Sequence, residues 1–230
     1  MATIGRLIFT RGKGPGAGGE ARSIPVSLVL VAICLALFSC PANGGGGEEV
    51  QKEKAAKTKA ARIEETSSEG VKAPPPPGLA IKEAEAQAVD PKGKEPLEDA
   101  ITCLARTIYW EARSSTEADM RAIAYVVMNR VGHEGFPDTV CGVVKEGREK
   151  GACQFSWWCD GQPDTAQDQE SYAVAKEVAR KTLNRELKDE TGGALYFHGK
   201  GSKPPWSQKY IRTAAIGRHV FYKPDGGKAK

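Results

Sequence analysis

Histidine is scarce in this chain: His133, His198 and His219 are the only three among 230 residues. They stand far apart and in no ligand-like spacing, which argues against a zinc centre of clustered His and carboxylate ligands. No metal or cofactor is expected. Cysteine is present, but no close Cys-x2–4-Cys pair exists, so a structural zinc site is unsupported. Strong charge of either sign is also missing. The net charge of +4 is too weak alone to argue for nucleic acid, though it suits mild attraction to an anionic polymer or surface. Internal repeats are absent. From Pro41 to about Pro96 large apolar residues are almost lacking, so that stretch is not expected to bury a core.

The N-terminus is rich in what the rest lacks. Arg6, Arg11, Lys13 and Arg22 precede an uncharged apolar run, "VSLVLVAICLALFSC", of signal-peptide length. Leu37 and Ser39 before Cys40 resemble a bacterial lipobox, in which the cysteine is acylated; Phe38 and Pro41 depart from that pattern. Acylation at Cys40, plain secretion and an uncleaved anchor all place the remainder outside the cytoplasm. Residues 1–40 are therefore read as a leader and 41–96 as a disordered Lys/Glu/Ala/Pro-rich tether. A tether of this length has a root-mean-square span on the order of 40 Å. Residues 97–223 form the expected folded domain, and 224–230 a flexible tail.

In an exported domain, Cys103, Cys141, Cys153 and Cys159 read as two disulfides. Three connectivities are open. Cys153 and Cys159 bracket only "QFSWW", so that local pair is the first expectation and Cys103–Cys141 the remainder. With its cysteines paired, the domain has no free thiol for a cysteine peptidase.

Leu97, Ile101, Leu104 and Ile108 fall at helical spacing and predict a helix from about 96 to 112. Ser114 with Glu117, and Thr116 with Asp119, mark the start of a second helix reaching Val131, with Met120, Ile123, Val127 and Val131 as its buried stripe and Gly132 as its stop. A short helix capped by Asp138 and a long one over about 165–187 follow. "ALYFH", "YIRTAA" and "RHVFY" then read as short strands. Helices first and strands last predict an α+β domain with a small antiparallel sheet near the C-terminus.

Glu111 is the next residue on the apolar face of the first helix, flanked by Tyr109 and Trp110. A carboxylate there is costly unless paired, protonated or used. Burial would raise its pKa and make it a general acid near neutral pH, of the kind that protonates a glycosidic oxygen in lysozyme. Trp157 and Trp158 suit walls for sugar rings; Gln154, Ser156 and Asn129 suit hydrogen bonds to hydroxyl or acetamido groups. The alternative is a structural ion pair between Glu111 and Arg113 or Arg106.

The series "CLARTIYWEAR", "AIAYVVMNRV", "FPDTVCGVVKEG", "CQFSWWCDG", "GGALYFH", "PPWSQ" and "IGRHVFY", in that order, resembles the SleB/CwlJ cell wall hydrolase family. The resemblance covers nearly all of the expected domain and neither leader nor tether. It implies a lysozyme-like α+β fold acting on peptidoglycan glycan strands, with Glu111 of "EAR" as catalytic acid; separately, a monomer is expected. It further implies lytic transglycosylase chemistry between N-acetylmuramic acid and N-acetylglucosamine. There, one carboxylate protonates the leaving oxygen and then helps the sugar's own 6-hydroxyl attack. Hydrolysis would ordinarily need a second carboxylate. Asp160, Glu146 and Asp138 are candidates, read instead as caps or loop charges.

Gln154, Phe155, Ser156 and Trp157 of "QFSW", with Tyr196 and His198, are expected to line the groove. His219 is expected as a satisfied core or surface histidine, Arg113 as a brace for the loop after Glu111, and Trp206 as a packing anchor. Where the family continues "EARGE", this chain has "EARSS"; Ser114 and Ser115 replace the glycine and second acid, with Glu117 as a possible substitute. A non-catalytic wall-binding module, a muramidase and an amide-cleaving wall hydrolase are the competing functions.

Overall fold

The computed structural model describes residues 45–113 and 115–227. The leader, with Cys40, lies outside them. The folded body is built around one helix, α3 (Ala100–Glu111), on which four others pack: α1 (Gly45–Ser68), α4 (Glu117–Arg130), α5 (Val140–Lys145) and α6 (Gln169–Leu183). Asp99 caps α3 by accepting from the Thr102 amide at 2.9 Å. Residues Ala100 to Tyr109 are all buried, as expected of a helix enclosed on every side. Thr116 caps α4 as its sequence predicts. Thr139, not Asp138, caps α5. Asp168 caps α6, which starts and ends about four residues inside the expected range.

The expected tether is a correction. Residues 45–96 are ordered and packed, not disordered. In α1, Ala56, Ala60 and Ile63 recur at helical spacing and are fully buried. Alanines give a shallow face that lets helices approach closely, so few large apolar residues suffice. Polar anchors complete the contact. Lys59 Nζ bonds both Glu85 carboxylate oxygens at 2.8 and 2.9 Å, and the Glu64 carboxylate accepts from the Val140 amide at 2.6 Å. A short helix, α2 (Glu83–Ala88), follows, and Ile81 exchanges hydrogen bonds with the Asn184 side chain at 2.9 and 2.8 Å.

Asp90, fully buried, is the anchor of this N-terminal layer. It accepts from Arg106 Nε and Nη2 at 2.9 and 2.7 Å, from the Tyr172 hydroxyl at 2.7 Å, and from the Lys94 and Glu95 amides. Arg106 also donates to the Asp164 carbonyl. One buried pair thus joins the segment before α3, the middle of α3, α6 and the loop before α6.

Three strands, β1 (Tyr196–Gly199), β2 (Ile211–Ile216) and β3 (His219–Lys223), form an antiparallel sheet in the order β1-β3-β2. This is the expected α+β arrangement. The β2–β3 turn needs glycine at 217: its φ is +49°, and a Cβ there would collide with the Asp119 carboxylate. Disulfides join Cys103 to Cys141 and Cys153 to Cys159. The expected tail begins in order: Pro224 is buried and Asp225–Gly227 make a short turn. Among the described residues no helix is long and apolar enough to cross a membrane.

Candidate active site

Two helices end their buried stripes in opposite charges. On α3 the stripe ends in Glu111; on α4, Ile123 and Val127 lead to Arg130. Both side chains line one cleft of about 600 Å³, whose other walls come from the 146–156 segment, β1, the turn around Trp206 and the start of β3.

Glu111 is half-buried. Desolvation pushes its carboxyl up to about 7, against the lowering pull of the Arg130 guanidinium. Neither expected structural partner reaches it. Arg106 is committed to Asp90 at 2.7 Å, and the Arg113 guanidinium lies over the Tyr109 and Trp110 rings at 5.6 and 5.4 Å. A half-buried carboxyl that keeps a large share of its protons near neutral pH, about half of them at its pKa, can donate a proton to an oxygen placed in the cleft.

Arg130 was not anticipated from the sequence, although a cation closing an apolar stripe is the same signal that marks Glu111. Its Nε donates to the Leu195 carbonyl at 2.7 Å, and its guanidinium lies over the Phe136, Phe155 and Tyr196 rings at 5.0, 5.4 and 5.6 Å. Burial lowers it to about 10, yet Nη1 has no hydrogen-bond partner among the described residues.

Glu146, a candidate second acid expected instead as a cap or loop charge, is the C-cap residue of α5 and also lines the same cleft as Glu111. Its Oε2 is buried without a hydrogen-bond partner among the described residues, and desolvation raises its pKa while Arg130 opposes the rise. Asp160 instead accepts from the Gln162 amide on an exposed turn at 2.8 Å. Glu117 is exposed and does not line the cleft.

The "QFSW" segment alternates. Gln154 and Ser156 are exposed and line the cleft. Phe155 and Trp157 turn inward, 0% and 5% exposed, so the expected groove role fails for Phe155, which packs in the core beside Phe197. Trp157 instead borders a neighbouring hollow with Trp110 and Asp164. Tyr196 and His198 line the cleft as expected. His198 is fixed by ring stacking on Tyr222 and by a 3.1 Å bond between Nε2 and the Tyr222 hydroxyl. Trp206 and Tyr210 also face the cleft and form an aromatic wall with Tyr196, with centroids 4.8 to 5.8 Å apart. Trp206 is therefore more than a packing anchor. Asn129 points elsewhere, donating to the Ala194 carbonyl and Asp189.

His219 also lines the cleft, on the Asp119 side. The loop after Glu111 is braced from the opposite direction to that expected: Arg218 donates to the Arg113 carbonyl at 3.0 Å and to the Ser115 hydroxyl at 3.1 Å. Ser114 lies outside the described residues.

Residues 114–222 match the family model described as Cell Wall Hydrolase. Glu111 lies just before that stretch. A spore cortex-lytic enzyme of Bacillus cereus is 33% identical over 128 residues, covering 54% of this chain and 44% of the relative. The Bacillus subtilis spore cortex-lytic enzyme is 31% identical over 124 residues, covering 53% and 36%. The chain thus spans less than half the length of these curated relatives. Among solved structures, the catalytic domain of the Bacillus cereus SleB protein is 29% identical, covers 57% of this chain and 93% of its own, and superposes with a TM-score of 0.45.

Proposed function

Because residues 114–222 match the cell wall hydrolase family model, we propose that this chain cleaves peptidoglycan glycan strands between N-acetylmuramic acid and N-acetylglucosamine, with Glu111 as general acid. The observation that carries the reading is Glu111 itself: a half-buried carboxyl, raised to about 7, in a cleft walled by Tyr196, Trp206 and Tyr210. Aromatic faces suit sugar rings, and Gln154 and Ser156 offer exposed hydrogen-bonding groups beside them. Glu111 protonates the glycosidic oxygen as the bond to the anomeric carbon breaks. In the transglycosylase form, the muramic acid 6-hydroxyl then closes onto that carbon and leaves an anhydro end.

One observation favours a second reading. Glu146 supplies the cleft with another carboxylate, and hydrolysis through an activated water needs one. Digestion of purified peptidoglycan by the full chain separates the two, because anhydro ends are one water lighter than hydrated ends by mass spectrometry. Glu111→Gln should abolish both. Glycan binding without product in the parent chain would refute catalysis and leave a binding module.

Export belongs to the same proposal. The apolar leader and the "LFSC" motif support a lipid anchor at Cys40. Incorporation of labelled fatty acid that is lost in Cys40→Ser tests it.

A further inference from the structure

His219 was expected to be a satisfied histidine, but only half of it is satisfied. It sits at the start of β3, opposite Gly199 on one side and Ile216 on the other. Its side chain is 11% exposed, and the Phe197 ring packs edge-on against it, 5.5 Å away at 86°. Nδ1 lies 3.0 Å from Asp119 Oδ1. No group among the described residues hydrogen-bonds Nε2, on a ring that lines the same cleft as Glu111.

Asp119 is built to stay ionised in this role. It is 1% exposed on the first turn of α4. Its carboxylate accepts from the Arg218 amide at 3.0 Å and the Thr116 hydroxyl at 3.2 Å, besides His219. Burial alone would raise its pKa, but these hydrogen bonds outweigh burial and hold it below the usual range. The β2–β3 turn is shaped around it, since Gly217 leaves the space the carboxylate fills. In the neutral imidazole an acceptor on Nδ1 places the single proton there and leaves Nε2 as a bare lone pair. The dyad therefore presents the cleft with a positioned proton acceptor.

We propose that His219, oriented by Asp119, accepts the proton of the hydroxyl that attacks the anomeric carbon. The inference rests on the glycan-cleavage reading above and moves the second proton transfer from Glu111 to the dyad. Glu111 gives its proton to the leaving oxygen as the anomeric bond breaks. The attacking oxygen, from the 6-hydroxyl or from water, forms the new bond and passes its proton to Nε2. Asp119 stabilises the resulting imidazolium. His219 then loses a proton to solvent, and Glu111 regains one. The other charged or titratable groups facing this cleft are Arg130 of α4, Glu146, Tyr196, His198 and Tyr210; Arg218 flanks the dyad.

The test is steady-state kinetics on glycan strands with the full chain and its His219→Ala, His219→Gln and Asp119→Asn variants. His219→Ala should lower kcat by about 10²–10⁴-fold, the usual worth of general acid–base catalysis, with KM within about threefold. Added imidazole should restore part of that loss. Asp119→Asn keeps an acceptor for the Arg218 amide but donates to Nδ1, reversing the tautomer, and should also lower kcat. Thermal melts and sacculus co-sedimentation check that each variant is folded and binds. Should His219→Ala be unfolded, His219→Gln carries the same expectation without the rescue. Parent activity sensitive to Glu111→Gln but unchanged within about threefold by folded His219 variants overturns this inference alone. So does a loss that tracks lowered melting temperature and no imidazole rescue. An inactive parent overturns the glycan-cleavage reading and this inference with it.

Discussion

Replacing Glu111 with glutamine should stabilise the protein in alkali while removing its activity. The folded state holds the Glu111 proton up to about pH 7, whereas the unfolded chain releases it near 4.5. Between those values the folded state binds more protons, so stability falls as pH rises through the window. At about 1.4 kcal/mol per pH unit, the gap sets a ceiling of roughly 3 kcal/mol. The side chain is half-buried and opens on a solvated cleft, so about 2 kcal/mol is the reasonable expectation. Glutamine keeps the shape and has no proton to lose. Glu111→Gln should therefore melt about 4–8 °C higher than the parent at pH 8. Near pH 4, where the parent carboxyl is also neutral, the two should coincide. Calorimetry of both proteins across this range, disulfides intact, decides the matter. Parallel pH profiles would show that Glu111 is paired or well solvated, and the argument for a buried acid would collapse.

Other consequences follow from the same structure. The kcat/KM for glycan cleavage should fall about tenfold per pH unit above pH 7, as Glu111 loses its proton; a rate that is flat to pH 9 would contradict the general-acid role. Asp90→Asn leaves Arg106 buried without its counter-charge and should cost about 3–5 kcal/mol in denaturant unfolding, although Asp90 lies outside the family match. Phe155→Ala should cost about 3–5 kcal/mol from a core cavity. Gln154→Ala, in the same motif, should leave the melt unchanged and weaken glycan binding in co-sedimentation. Reducing Cys103–Cys141, which closes a loop across a separation of 38 residues, should lower stability by about 4 kcal/mol on chain-entropy grounds.

Much of this protein is local in origin and was legible in one dimension. The 3.6-residue spacing of Ile101, Leu104 and Ile108 set α3, and the charge that ended the spacing marked Glu111. Thr116 three residues before Asp119 marked the start of α4. Short β-rich runs split by glycine set the three strands. Such features depend on neighbours a few residues away, so the sequence carries them openly.

What tertiary structure decided depends on partners far along the chain. Residues 45–96 read as solvated because an alanine stripe looks too weak to bury; it suffices where Glu85 and Val140 hydrogen-bond α1 and Asn184 holds Ile81 in the segment that follows. Phe155 and Gln154 are adjacent in one motif, yet one enters the core and the other the cleft. Glu146 becomes a cleft carboxylate, and His219 half of a dyad, only when the sheet folds back beside the helix ends. Asp119 and His219 are 100 positions apart. A hydrogen bond of that separation leaves no periodicity for sequence to record, because it is fixed by how the layers close, not by how any segment folds.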